Sequence, residues 1–148
     1  MTEPFLSIII PAYNEEQRLP AALEQLFAFL NLQEYTFEVV VIENGSSDKT
    51  LQVAQEFARN VPFLRIIHLD ESGKGRAIRE GISQTSGQFR FIADADFSMP
   101  VKEINRFLPP ACNCDIAIAS RETPGSIRYN EPFLRHLIGR GFNLLIRF

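Results

Sequence analysis

Five short apolar runs constrain this chain more than any other feature: Leu6 to Ile10, Val39 to Ile42, Leu64 to Leu69, Phe89 to Ala93 and Ile116 to Ala119. Each is four to six residues long and rich in Ile, Val or Phe, with single breaks at Arg65, His68 and Arg90. A strand with one solvated face alternates apolar and polar residues. A strand buried on both faces reads as a near-continuous run, which is the habit of a parallel sheet. Between the runs the spacing turns helical. Leu19, Ala22, Leu23, Leu26, Phe27 and Leu30 form one stripe within Glu15 to Leu30. Leu51, Ala54, Phe57 and Ala58 do so within Asp48 to Arg59, where Ser47 or Asp48 can cap the helix. Ala77, Ile78, Gly81 and Ile82 repeat the pattern within Lys74 to Ile82. Strand, helix, strand, helix, strand, helix, strand predicts an α/β fold with right-handed crossovers. Ligands of such sheets bind beyond the carboxyl ends of the strands, and every polar motif of this chain falls at such an end.

The first run leads into Pro11-Ala12-Tyr13-Asn14-Glu15-Glu16. Pro11 lacks an N–H and is expected to end pairing and set a rigid turn. Tyr13 offers a ring for stacking. Glu15 suits a binding role and equally a plain helix start. The second run leads into Glu43-Asn44-Gly45-Ser46-Ser47-Asp48. Glu43 can accept from the imide N–H of a base, and Asn44 can donate and accept. Gly45 and Ser47 read as turn and cap residues, whereas Glu43 shows no structural need to be acidic. After the third run, Gly73-Lys74-Gly75 precedes a helix that carries Arg76 and Arg79. Helix-start N–H groups with these cations suit a diphosphate, although the loop is neither a Walker loop nor a dinucleotide fingerprint. The fourth run ends in Asp94-Ala95-Asp96. Two like charges one residue apart destabilise a buried strand end, and a divalent cation relieves the repulsion. Hard oxygen ligands point to Mg²⁺ or Mn²⁺, which fills its remaining positions with phosphate oxygens and water. A solvated turn is the bland alternative.

Bulk properties narrow the partners. At 148 residues the chain fits one domain, and its net charge of −3 gives no basic field for nucleic acid. Cys112 and Cys114 are the only cysteines. They exclude a disulfide framework and predict reduced residues near a strand start. Met1-Thr2-Glu3-Pro4 lacks the basic and apolar regions of a secretory signal, and no apolar run approaches the ~20 residues of a membrane span. The expected location is cytoplasmic, with peripheral contact at the inner membrane surface left open by the tail.

Taken in order and at these spacings, the four motifs resemble the family 2 glycosyltransferases of GT-A fold, a Rossmann-like, mostly parallel sheet flanked by helices. The chain looks most like their dolichyl- or polyprenyl-phosphate sugar synthases. Ser-Ile-Ile-Ile-Pro-Ala-Tyr-Asn-Glu-Glu from Ser7 matches the opening strand and loop, and Asp94-Ala95-Asp96 matches the metal motif. Glu43-Asn44-Gly45-Ser46 stands where the family usually has Asp-Asp-Gly-Ser, Gly73-Lys74-Gly75 with Arg79 resembles its donor-side segment, and Ser120-Arg121 resembles its Ser-Arg. The resemblance implies nucleotide-sugar binding by Pro11, Ala12, Tyr13, Glu15, Glu43, Asn44, Lys74, Arg79, Asp94 and Ala95, and metal binding by Asp94 and Asp96. It implies acceptor or phosphate contacts by Arg121 and Arg135. It further implies inverting transfer from UDP-glucose or GDP-mannose to a polyprenyl phosphate or a glycan.

The tail reads as a helix. Leu134, Leu137, Ile138, Phe142 and Leu145 form an apolar stripe, with His136, Arg140, Asn143 and Arg147 on another face. Such a basic amphipathic helix suits an anionic membrane surface, or packs on the sheet as an ordinary helix. The expected division is a nucleotide-sugar-binding core over 1–125 and the start of an acceptor-side region over 126–148, contacting membrane through 132–148. The family's later strands and acidic base have no counterpart here. A C-terminally truncated GT-A core that binds donor without efficient transfer is therefore expected, and a non-catalytic nucleotide-sugar-binding module or assembly partner is the rival. A sugar-nucleotide pyrophosphorylase would need a Gly-rich basic loop where Pro11-Ala12-Tyr13 stands.

Overall fold

Both faces of the first two apolar runs, Leu6 to Ile10 and Val39 to Ile42, are covered, as their unbroken hydrophobicity requires. The computed structural model describes residues 3–120. Arg121, Arg135 and the helix expected over 132–148 lie outside the described residues. Four strands, β1 (Leu6–Ala12), β2 (Phe37–Asn44), β3 (Leu64–Leu69) and β4 (Phe89–Ile92), form a sheet of order β3-β2-β1-β4. Every pairing in it is parallel. Helices α1 (Leu19–Leu30), α2 (Thr50–Ala58) and α3 (Lys74–Ser83) alternate with the strands, and a 3₁₀ helix spans Val101–Phe107.

The two faces divide the strand residues by parity. Ile8, Ile10, Val39 and Val41 join Leu19, Leu23, Leu26 and Leu30 of α1, Ala54 of α2 and Ile104 in the larger core. Ile9, Val40 and Ile42 face the other way and pack with Ala77 of α3. Each fully buried Leu or Ile contributes about 1.5–3 kcal/mol, so the sheet is held from both sides. Helix α3 sits close to it: a Cβ at Gly81 would fall 2.3 Å from Ile9 Cγ2.

Several expectations are corrected. Pro11 does not end pairing, because β1 stays in register with β2 through Pro11↔Ile42 and Ala12↔Glu43. The Ile9 carbonyl accepts from Ala93 N on the β4 side. Pro11, two residues on, turns its missing N–H to that same side, where pairing has already stopped at Ile9↔Ile92. The run Ile116 to Ala119 forms no strand, and Ile116 and Ile118 are 81% and 83% exposed. A strand exists only through ladder partners, and no pairing among the described residues supplies them there. These residues belong to a second compact unit, Cys114–Phe148, distinct from Met1–Asn113. The first two helices start later than the segments expected from Glu15 and Asp48, α1 at Leu19 and α2 at Thr50. The N-cap of α2 is Lys49, without a side-chain cap bond; Asp48, one residue earlier, instead accepts at Oδ1 from Thr50 N at 2.9 Å. Cys112 and Cys114 are disulfide-bonded rather than reduced. No helix among the described residues is long and apolar enough to cross a membrane.

Candidate functional site

Strand order places the site. From β1 the chain moves outward to β2 and β3, then returns to the other side of β1 with β4. The direction of winding reverses at β1, and crevices open beyond the carboxyl ends of the strands at such a point. A cavity of about 390 Å³ lies there. Pro11, Tyr13 and Glu15 line it from β1 and its loop, Asn44 from β2, Ser72, Gly73 and Lys74 from the start of α3, and Asp94, Ala95 and Asp96 from the loop after β4.

The wall formed by β1 and β2 is laced together by hydrogen bonds that the sequence did not announce. Asn14 adopts φ +54°; its N–H donates to Ser46 Oγ at 3.0 Å, and its Oδ1 accepts from Ser47 N at 2.9 Å. Glu15 N donates to Thr50 Oγ1 at 2.7 Å, and Glu16 N to Asp48 Oδ2 at 3.2 Å. These bonds hold 15–18 out of α1 as a turn. Glu15 ion-pairs with Arg18 at 2.7 Å on the rim. Tyr13, 49% exposed, is left as a free ring facing the cavity. Ala12 is buried and contributes through its carbonyl, which accepts from Asn44 Nδ2 at 2.8 Å. Asn44 Oδ1 in turn accepts from Gly73 N at 3.0 Å. One buried amide therefore ties the ends of β1 and β2 to the start of α3. Gly73 itself has φ +155°, a conformation that favours glycine.

Glu43 lies elsewhere than a base-contacting acid would. It is 1% exposed and does not line the cavity. Strand alternation turns it to the α1/α2 face, where Oε1 accepts from Ser46 N at 2.6 Å and Oε2 meets His68 Nδ1 at 2.5 Å. The acid thus has a structural use after all. Burial pushes its pKa up, but hydrogen bonds from Ser46 and His68 outweigh this and leave it below the usual carboxylate range. The hydrogen bond to Glu43 holds the His68 pKa above the ordinary imidazole value, against an opposing desolvation. Cross-strand register explains the pairing, since Glu43 and His68 are direct partners on β2 and β3. In the sequence His68 reads only as a polar break in an apolar run.

The opposite wall is open. Ala93 and Ala95 are buried, so alternation leaves Asp94 and Asp96 facing outward together. Lys74 Nζ ion-pairs with Asp94 Oδ1, and Asp96 Oδ1 accepts from Ser98 N at 3.0 Å. Phe97 just beyond takes φ +41°, a left-handed conformation that costs a non-glycine residue about 1–3 kcal/mol. No cluster of three His, Cys, Asp or Glu side chains among the described residues is arranged to hold a metal. Two exposed carboxylates on a cavity wall still fit a hard divalent cation that completes its shell from phosphate and water. Arg79 is exposed, does not line the cavity and makes no ion pair among the described residues. Ser72 and Gly73 line it as well.

Comparison with known proteins agrees with this arrangement. The sequence model described as Glycosyl transferase family 2 matches residues 7–146. A dolichol-phosphate mannosyltransferase of Pyrococcus furiosus is 36% identical over 139 residues, which cover 92% of this chain and 38% of that protein. A dolichyl-phosphate beta-glucosyltransferase of Drosophila melanogaster is 34% identical over 95% of this chain and 48% of its own length. The chain thus spans less than half of these relatives. Among solved structures, a mannosyltransferase from Pyrobaculum calidifontis in complex with GDP-Man and Mn²⁺ superposes with a TM-score of 0.59 at 24% identity, over 74% of this chain and 34% of that one. A matched family model over nearly the whole chain, relatives above 30% identity and a parallel sheet with its cavity at the switch point agree: the chain belongs to glycosyl transferase family 2.

Proposed function

We propose that this chain is the donor-binding part of a glycosyltransferase that moves a sugar from a nucleotide-sugar, UDP-glucose or GDP-mannose, to dolichyl or another polyprenyl phosphate. The observation that carries this reading is the gathering of Tyr13, the start of α3 with Lys74, and the Asp94–Asp96 pair around one cavity. Each wall matches one part of such a donor. Tyr13 offers a stacking surface to the base. The N–H groups at the start of α3 and the Lys74 ammonium suit the diphosphate. Asp94 and Asp96 would hold Mg²⁺ or Mn²⁺, which when bound supplies Lewis-acid stabilisation of the departing nucleoside diphosphate. The curated names of the relatives, mannosyl- and glucosyltransferases to dolichyl phosphate, support the choice of acceptor.

The chemistry asks little of a base. An ionised phosphate oxygen of the acceptor attacks the anomeric carbon on the face opposite the diphosphate. The new C–O bond forms as the bond to the diphosphate breaks, with inversion and no proton to remove. Cations that gather two phosphates then matter more than a general base. Arg121 and Arg135 are proposed for the acceptor phosphate, with 132–148 lying against the membrane that carries it.

Calorimetric titration of UDP-glucose and GDP-mannose, with and without Mn²⁺, tests the reading. Metal-dependent binding of one donor that disappears in an Asp94→Ala, Asp96→Ala variant is expected. Failure of both donors to bind overturns it. Transfer assays address the acceptor side, where Arg121→Ala and Arg135→Ala should weaken acceptor use and spare donor affinity. Donor binding without any transfer would favour a non-catalytic module.

A further inference from the structure

The Glu43–His68 pair joins a buried carboxylate to an imidazole that is 44% exposed, and the donor site does not use it. Glu43 spends both oxygens inside the protein, one on the Ser46 backbone and one on His68. Ser46 lies in the tight turn after β2, where Gly45 takes φ +71° and a Cβ would meet the Asp70 carbonyl at 2.9 Å. That turn is the anchor of the β1 loop: Ser46 Oγ and Ser47 N hold Asn14, whose neighbours Tyr13 and Glu15 line the cavity. A continuous set of hydrogen bonds therefore runs from His68 through Glu43 and Ser46 to the residue beside Tyr13.

We propose that Glu43 and His68 are a positioning pair, a protonation-sensitive brace under the Gly45–Ser47 turn that sets how the β1 loop presents Tyr13 to the cavity. Neither side chain touches the ligand in this scheme. With His68 protonated, the buried carboxylate faces a full positive charge and the turn is held. With His68 neutral, the carboxylate keeps a hydrogen bond but loses its counter-charge, and the brace slackens. The charged groups facing His68 are Glu43 from β2 and, at 3.4 Å from Nε2, Asp70 after β3. Helix α2, also packed on β3, brings no charged group within ion-pair distance among the described residues. Both neighbours favour the imidazolium, so the change falls above the ordinary value of 6.5.

The test reads the brace without any ligand. In ¹H–¹⁵N spectra of the whole chain between pH 5.5 and 8.5, the Ser46, Ser47 and Asn14 amides should shift together, with the midpoint of the His68 ring. In His68→Gln, which keeps a donor toward Glu43 but does not titrate, that shift should vanish. Amides that stay constant in the wild type, or titrate equally in His68→Gln, overturn the proposal. Should His68→Gln not fold, Glu43→Gln serves instead, with the Ser46 shift expected to lose its pH dependence. A second arm rests on the proposed donor reading. Affinity for UDP-glucose or GDP-mannose, neither of which titrates in this range, should weaken about threefold to tenfold as pH rises and be flat in His68→Gln. A donor that binds equally at every pH overturns the link to the cavity. A donor that binds at no pH overturns the donor reading and leaves the amide titration to judge the brace.

Discussion

The ends of β2 and β4 carry acidic motifs that look alike in sequence and live in opposite environments. Glu43 is 1% exposed, and both its oxygens are bonded within the protein. The Asp94 side chain is 58% exposed, and its partner is the end of a lysine side chain that is itself 64% exposed. The difference arises from the path of the chain beyond each strand. After β2 the chain turns back under itself at Gly45, and the carboxylate satisfies the first amide of the turn. After β4 the buried Ala93 and Ala95 act as anchors and push the aspartates outward. An acid whose two oxygens are both bonded within the protein can shape a site, whereas an acid that meets water can give its lone pairs to a ligand.

The contrast can be broken by substitution. Asp94→Ala with Asp96→Ala should lower donor affinity in the presence of Mn²⁺ by about a hundredfold or more, ~2.7 kcal/mol. The same variant should shift urea-unfolding stability by less than about 0.5 kcal/mol, since exposed ion pairs contribute little. Glu43→Ala should do the reverse in kind. It strands the Ser46 amide and should cost about 2 kcal/mol of stability in urea, and a loss below about 0.5 kcal/mol would place Glu43 with the aspartates. Gly45→Ala should cost about 1–2 kcal/mol through its positive φ and the approach to Asp70, again measured by urea unfolding. The smallest effect is the pH dependence of the pair. The folded-state pKa of Glu43 is lowered from 4.5, so its contribution is present above 4.5 and fades as pH falls through the lowered value. That of His68 is raised from 6.5, so its contribution is full below 6.5 and fades as pH rises through the raised value. Thermal midpoints should therefore peak between these pH values, and the alkaline side of the peak should flatten in His68→Gln.

Much of the fold was legible because apolar periodicity reports burial directly. Four of the five runs are strands, and the three stripes are helices. The fifth run shows the limit of that signal, since hydrophobicity announces a wish to be covered but names no partner. The cavity residues Tyr13, Lys74, Asp94 and Asp96 were legible for a different reason: strand-end position in a parallel sheet gathers them whatever their exact contacts. Arg79 was grouped with them by proximity in sequence, but it lies more than a turn into α3 and away from the rim. The part played by Glu43 was hidden because its partner is 25 residues distant and is specified only once β2 and β3 are in register. The lacing of Asn14, Ser46, Asp48 and Thr50 was hidden likewise, since each of those residues is an ordinary turn or cap former when read alone.

Asn44 carries a consequence for how a ligand would be met. Its one amide bonds the Ala12 carbonyl and the Gly73 N–H, so three chain segments share a single fastening. None of them can drift without breaking a bond to the Asn44 amide, and their freedom is therefore lost at folding rather than at the encounter. A ligand arriving on this side finds a preformed template, and little ordering entropy opposes its capture. Beyond the Tyr13 loop, variation in fit must then come from the exposed side chains of Asp94 and of Lys74 at the start of α3.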